Sequence, residues 1–146
     1  MKRRELFVAA GGFAAAAALG KLEGTAFAGD HKHDHSHGTN TGLIDAALDC
    51  VKRAEACLNH CIDVLGRGDT SLAKCAKSVT ELKIYCTALY QAGIINSEYL
   101  KKIAALSEKV CTDCEKECRK HKKHQTCLNC ADACVKCLKE CKKLLA

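Results

Sequence analysis

The feature that most restricts this chain is the spacing of cysteines in its last third. Eight of the thirteen cysteines fall between Cys111 and Cys141, at positions 111, 114, 118, 127, 130, 134, 137 and 141. Within each run the steps alternate between three and four residues. On an α-helix that spacing stacks successive side chains on one face, whereas a strand would scatter them over both faces. The segment therefore reads as two thiol-lined helix faces joined by a short basic turn near Lys122-Lys123.

The same period extends upstream. Leu43, Ala47, Cys50, Ala54, Cys57, Cys61 and Val64 step by three and four, with Asn40 or Thr41 as cap and Gly66-Arg67-Gly68 as stop. A second helix follows Asp69 or Thr70, with an inner face of Leu72, Cys75, Val79, Leu82, Cys86 and Leu89, and Gly93 ends it. A third begins at Asn96 or Ser97 and carries the seam Ala104, Ser107, Cys111, Cys114, Cys118 and His121. The fourth runs from Cys127 through Cys141 toward Leu144 and Leu145. The chain has no Pro and no Trp, and its aromatic content is only 4%, a helical composition. Four amphipathic helices with short links predict an all-α, antiparallel four-helix bundle over residues 43–146, with cysteines lining the core.

Ahead of the bundle the pattern changes twice. Lys2-Arg3-Arg4, the Ala/Gly-rich apolar run Val8 to Leu19 and the small-x-small site Ala26-Phe27-Ala28 read as a twin-arginine signal peptide over residues 1–28. That reading predicts an exported, periplasmic protein whose mature chain starts at Gly29. The apolar run is too short to cross a bilayer, and no later run is longer, so no membrane span is expected in the mature chain. Residues 29–42 are polar and hold His31, His33, His35 and His37, a composition expected for a flexible tail. Four imidazoles there could gather divalent metal loosely, or the tail could be a solvated spacer. Residues 1–28 hold four basic and two acidic residues, so of the formal +6 of the whole chain +4 stays with the rest. No basic block argues for nucleic acid.

The thiols admit several chemistries. Disulfides are disfavoured because thirteen is odd and because Cβ atoms three or four apart on a helix are about 5–6 Å apart, against about 3.5–4.5 Å in a disulfide. A plain core role explains one or two small buried cysteines, not thirteen. Zinc needs four ligands converging tetrahedrally, and Cys111-Cys114 with Cys127-Cys130 offer two such knuckles, but the columns continue past them. Iron–sulfur motifs use irregular loops and often a trailing Pro, and this chain has neither spacing nor Pro. Cu(I) is the soft ion that thiolates select. With thiolates bridging, roughly one Cu(I) per cysteine leaves the core close to neutral. Repeated zinc–thiolate centres would instead bury net negative charge. Multinuclear Cu(I) is the expected ligand.

The repeated Cys-x-x-Cys-x-x-x-Cys units at Cys111/Cys114/Cys118, Cys127/Cys130/Cys134 and Cys134/Cys137/Cys141, with the twin-arginine start, resemble the copper storage protein family. The resemblance covers residues 43–146. It implies a cuprous store or buffer rather than an enzyme, an exported tetramer of bundles, and a copper chaperone or recipient cuproenzyme as a possible partner. It carries over as ligands Cys50, Cys57, Cys61, Cys75, Cys86, Cys111, Cys114, Cys118, Cys127, Cys130, Cys134, Cys137 and Cys141. Methionines attend copper uptake in exported members, and this chain has none after Met1. His60, His121 and His124 are the candidates to replace them, since imidazole also suits copper. His60 and the two turn histidines need not share one end of the bundle. Two rivals remain: a structural zinc scaffold, and a thiol–disulfide redox protein using a Cys-x-x-Cys pair at a helix start.

Overall fold

The computed structural model describes residues 40–146, and the expected signal peptide and the His31–His37 tail lie outside the described residues. Four helices follow in order: α1 Thr41–Gly66, α2 Ala73–Ile94, α3 Leu100–Cys118 and α4 Gln125–Leu145. Each helix packs against its sequence neighbours and α4 closes on α1, while the diagonal pairs touch only through side chains in the core, as Cys75 does Cys127 at 3.9 Å. With short links this is an antiparallel four-helix bundle, square in section.

Local chemistry sets the boundaries. The carbonyl of Asn40 accepts from the Ile44 amide at 3.0 Å, so the first turn of α1 forms ahead of Leu43, where its apolar period starts. Past its end Gly68 takes φ +85, a left-handed conformation that glycine adopts without a Cβ clash. Asp69 then caps a 3-10 turn at Thr70–Leu72, its carboxylate accepting from the Ser71 amide at 2.9 Å. Asn96, at φ 48, reverses the chain after α2, and the Ser97 hydroxyl accepts from the Tyr99 amide at 3.2 Å. The third helix therefore begins at Leu100 rather than directly at Asn96 or Ser97.

Every expected inner-face residue of α1 and α2 is buried, as are Ala104, Ser107, Cys111, Cys114 and Cys118 of α3. Antiparallel topology brings the end of α1, the start of α2, the end of α3 and the start of α4 to one end of the bundle. The opposite end is filled by Leu43, Ala47, Leu89, Ala92, Leu100 and Ala104. There α1 and α2 approach so closely that a Cβ on Gly93 would stand 2.8 Å from Ile44 Cγ1. Among the described residues, no helix is long and apolar enough to cross a membrane.

Candidate metal centre

All thirteen cysteines are fully buried and none is in a disulfide. Helical stacking puts them in columns, and the bundle turns the columns into layers. Cys50, Cys86, Cys111 and Cys137 form one group, with one thiol from each of the four helices. Cys57, Cys61, Cys75 and Cys127 form another nearer the α1–α2 turn. Between them lie Cys57, Cys118, Cys130 and Cys114, Cys130, Cys134, so Cys57 and Cys130 each serve two groups. Within each group the sulfurs lie within 4.8 Å of one another, close enough to hold a metal ion. Cys141 lies below Cys137, outside these groups, and its pKa is raised chiefly by that neighbour.

The sulfur contacts are non-bonded. Cys57 stands 3.6 Å from Cys127 and 4.0 Å from Cys75, Cys75 stands 3.7 Å from Cys118, and Cys86 stands 3.8 Å from Cys111. A disulfide would bring the sulfurs to about 2.05 Å. The protons are unevenly shared. Accepting from Cys118 pushes Cys57 down to about 4, and accepting from Cys134 pushes Cys111 down to about 6. Cys114 and Cys137 are lowered in the same way, by Cys118 and Cys111 respectively. The donors are held protonated: Cys118 is raised by Cys114, and Cys134 and Cys86 are raised by Cys111. Each group thus contains at least one sulfur whose pKa is lowered by its neighbours: Cys111 and Cys137 in the four-helix layer, Cys57 in the two groups that share it, and Cys114 in the last.

The two Cys-x-x-Cys knuckles do not converge. Cys111 belongs to the four-helix layer and Cys114 to the next group, while Cys127 belongs to the uppermost group and Cys130 to those below. The single tetrahedral site that would favour zinc is therefore not assembled from these four residues. The helix period that stacks the columns also carries each knuckle across two layers.

The three histidines do meet. His60, near the end of α1, places Nε2 2.7 Å from Nδ1 of His124, with ring centroids 4.9 Å apart. His121 stands edge-on to His124 at 6.5 Å. All three therefore cap the same end of the bundle, beside Cys57, Cys61 and Cys127. Glu117 went unnoticed in the sequence. It is 6% exposed, is bonded to Lys120 at 2.6 Å, and has Lys74 at 3.6 Å and His121 Nε2 at 3.5 Å. Burial acts to raise its pKa, but Lys120 and Lys74 outweigh that and hold the carboxyl below its ordinary value. Its spacing from Lys120 and His121, three and four residues, was the available signal. His121 Nε2 is itself buried without a hydrogen-bond partner.

A thiol-lined helical bundle with a histidine-capped end is the class that this fold and site define. The sequence model described as copper storage protein (Csp) matches residues 33–146. The chain belongs to the copper storage protein family. It is 31% identical over 103 residues to the cysteine-rich protein YhjQ of Bacillus subtilis, spanning 70% of this chain and 93% of that one. Among solved structures it resembles Cu(I)-bound copper storage protein BsCsp3 at TM-score 0.67 and 30% identity, covering 73% of this chain and 98% of that one. It also resembles a cytosolic copper storage protein from Streptomyces lividans loaded with five coppers, at TM-score 0.65 and 27% identity, covering 72% of this chain and 90% of that one.

These relatives correct the expected localisation. The Bacillus subtilis structures are of the Csp3 type and the Streptomyces lividans protein is described as cytosolic, so an exported, periplasmic protein is not supported. The physical reason lies in what carried the expectation. One arginine pair and an Ala/Gly-rich run are compositional signals, and they lie ahead of residues 33–146, which carry the family match.

Proposed function

We propose that this protein stores Cu(I), holding roughly one ion per thiolate along the inside of the bundle. The observation that carries this reading is the layer of Cys50, Cys86, Cys111 and Cys137, one thiol from every helix, continued by groups that share Cys57 and Cys130. Soft, monovalent Cu(I) matches a dry, all-sulfur interior, because each ion replaces one proton and adds no buried charge. All thirteen cysteines, from Cys50 to Cys141, act as ligands. The sulfurs whose pKa is lowered, Cys57, Cys111, Cys114 and Cys137, accept ions first, and their neighbours lose protons as the metal arrives.

His60, His121 and His124 admit copper at the capped end, beside Cys57, Cys61 and Cys127. Imidazole binds copper with moderate affinity, so an ion held there can move inward to thiolate. The action is stoichiometric binding and release rather than turnover. Copper exchanges with a chaperone or a recipient cuproenzyme, and the working unit is a homo-oligomer, a tetramer in the family pattern.

An anaerobic titration of the reduced protein with Cu(I) against a chromophoric chelator tests this directly. About ten or more ions held per chain is the expected result, following one ion per thiolate. Saturation at about three or fewer would discard the store and turn attention to zinc or redox chemistry.

A further inference from the structure

Glu117 is a carboxylate in a place that its ion pairs do not explain. It is buried on α3 one residue before Cys118, yet the lysines that pair with it are surface residues, Lys74 78% and Lys120 57% exposed. Such pairs form as well around a solvated carboxylate and contribute little, whereas burying the carboxylate has a desolvation cost. The two oxygens are used unequally. Oε2 takes both lysines, Lys120 at 2.6 Å and Lys74 at 3.6 Å. Oε1 instead faces Nε2 of His121 at 3.5 Å, and that nitrogen is buried without a hydrogen-bond partner.

The backbone of His121 is fixed at both sides. Its amide donates to the Cys118 carbonyl at 3.1 Å, and its carbonyl accepts from the His124 amide at 2.9 Å. The residue therefore stands one step past the α3 thiol column, with its ring edge-on to that of His124. His60 and His124 spend one ring nitrogen each on one another, at 2.7 Å. A metal-binding imidazole has its N–H held by an acceptor, which fixes the tautomer and leaves the other nitrogen's lone pair free. Glu117 Oε1 is placed to be that acceptor, and a small turn of the ring closes the gap to the ordinary N–H···O range of about 2.7–3.2 Å. We infer that Glu117 is the positioning residue of the entry site. Its Oε1 accepts from His121 Nε2–H, so that Nδ1 carries the lone pair and is the atom that takes Cu(I) ahead of Cys118. Lys74 and Lys120 hold Oε2 and thereby keep Oε1 turned to the ring. This deepens the histidine-entry part of the reading above and rests on it.

The test uses the full-length, reduced protein with isotope-labelled histidine. Nitrogen NMR of the metal-free protein is expected to show His121 as the Nε2–H tautomer. Glu117→Gln puts an amide in the same space, its oxygen kept by Lys120 and its NH2 turned to His121 Nε2. The ring is then expected to switch to the Nδ1–H tautomer. Stopped-flow uptake of Cu(I) should slow by about 10–100-fold, the usual cost of losing the partner behind a metal-binding histidine, with the final copper count unchanged. Lys74→Met removes an ion pair but leaves Oε1, and is expected to change neither the tautomer nor the uptake, which separates positioning from a structural charge role. His121→Ala should slow uptake as much as Glu117→Gln does, and the double variant no more than either. An unswitched tautomer in Glu117→Gln would overturn the inference, as would slowing that adds to that of His121→Ala. Normal uptake by His121→Ala with a switched tautomer in Glu117→Gln would instead overturn the histidine-entry reading, the bond to Glu117 being upheld by the spectra.

Discussion

The two ends of the bundle are built from the same helices and behave as different materials. At one end Leu43, Ala47, Leu89, Ala92, Leu100 and Ala104 fill the section, and Gly93 lets α1 and α2 approach tightly. Each fully buried leucine there contributes about 1.5–3 kcal/mol by leaving water. At the other end the section holds Cys57, Cys61, Cys75, Cys118 and Cys127 under the His60–His124 pair. Thiols are small and make only weak hydrogen bonds, so this end gains little from packing alone. The difference separates two tasks. The apolar end is closed by packed side chains, while the sulfur end presents converging thiols and imidazoles as ligands.

Copper removal should expose that contrast most. Ligands from all four helices couple binding to folding, and each site held at about 100-fold excess over its Kd adds about 2.7 kcal/mol. Thermal unfolding of loaded and chelator-stripped protein is expected to differ by tens of degrees. Hydrogen exchange should place the gain in protection at the residue 57–61, 114–118 and 127–137 segments. Equal gains at Leu43 and Leu89 would erase the distinction between the ends.

The next effect comes from the apolar end. Leu89→Ala removes a fully buried side chain and should cost about 2–5 kcal/mol of metal-free stability in denaturant unfolding, with the copper count unchanged. A smaller change is expected from Gly93→Ala. Its helix propensity gain of about 1 kcal/mol is opposed by the Cβ pressing on Ile44 at 2.8 Å, and overpacking costs about 1–3 kcal/mol. A net loss of about 1 kcal/mol in the same unfolding assay would fit that close approach. Smallest at equilibrium is the paired change His60→Ala with His124→Ala, which should lower capacity by no more than about one ion. Stopped-flow mixing with Cu(I) should nevertheless show slower uptake, because the moderate-affinity step beside Cys57 and Cys61 is gone.

Most of the framework was legible because it is periodic. The seams from Leu43 to Val64 and from Leu72 to Leu89 are set by steps of three and four, and each seam residue is buried in the fold. What escaped was non-local. The approach of His60 to His124 depends on how α1 and α4 align, sixty-four residues apart, and no local spacing encodes it. The Cys-x-x-Cys knuckles kept a zinc rival open, because spacing alone does not show that a helix rise of about 1.5 Å per residue places their members in successive layers. Glu117 was hidden because its burial comes from Lys74 and Lys120 folding over it as well as from its own helix. The expected export rested on the first twenty-eight residues alone, and the relatives of the bundle gave it no support.

The most direct measurement is anomalous scattering at the copper edge from crystals of the fully loaded, reduced protein, which locates each ion against the helices. The account predicts a continuous column of about ten or more Cu(I) ions, following one ion per thiolate. It should run from the level of Cys61 and Cys127 to the layer of Cys50, Cys86, Cys111 and Cys137, with Cys141 as its last ligand and none beyond it at Ala92 and Leu100. One or two isolated ions with the other thiols empty would contradict it, as would copper bound within the apolar end.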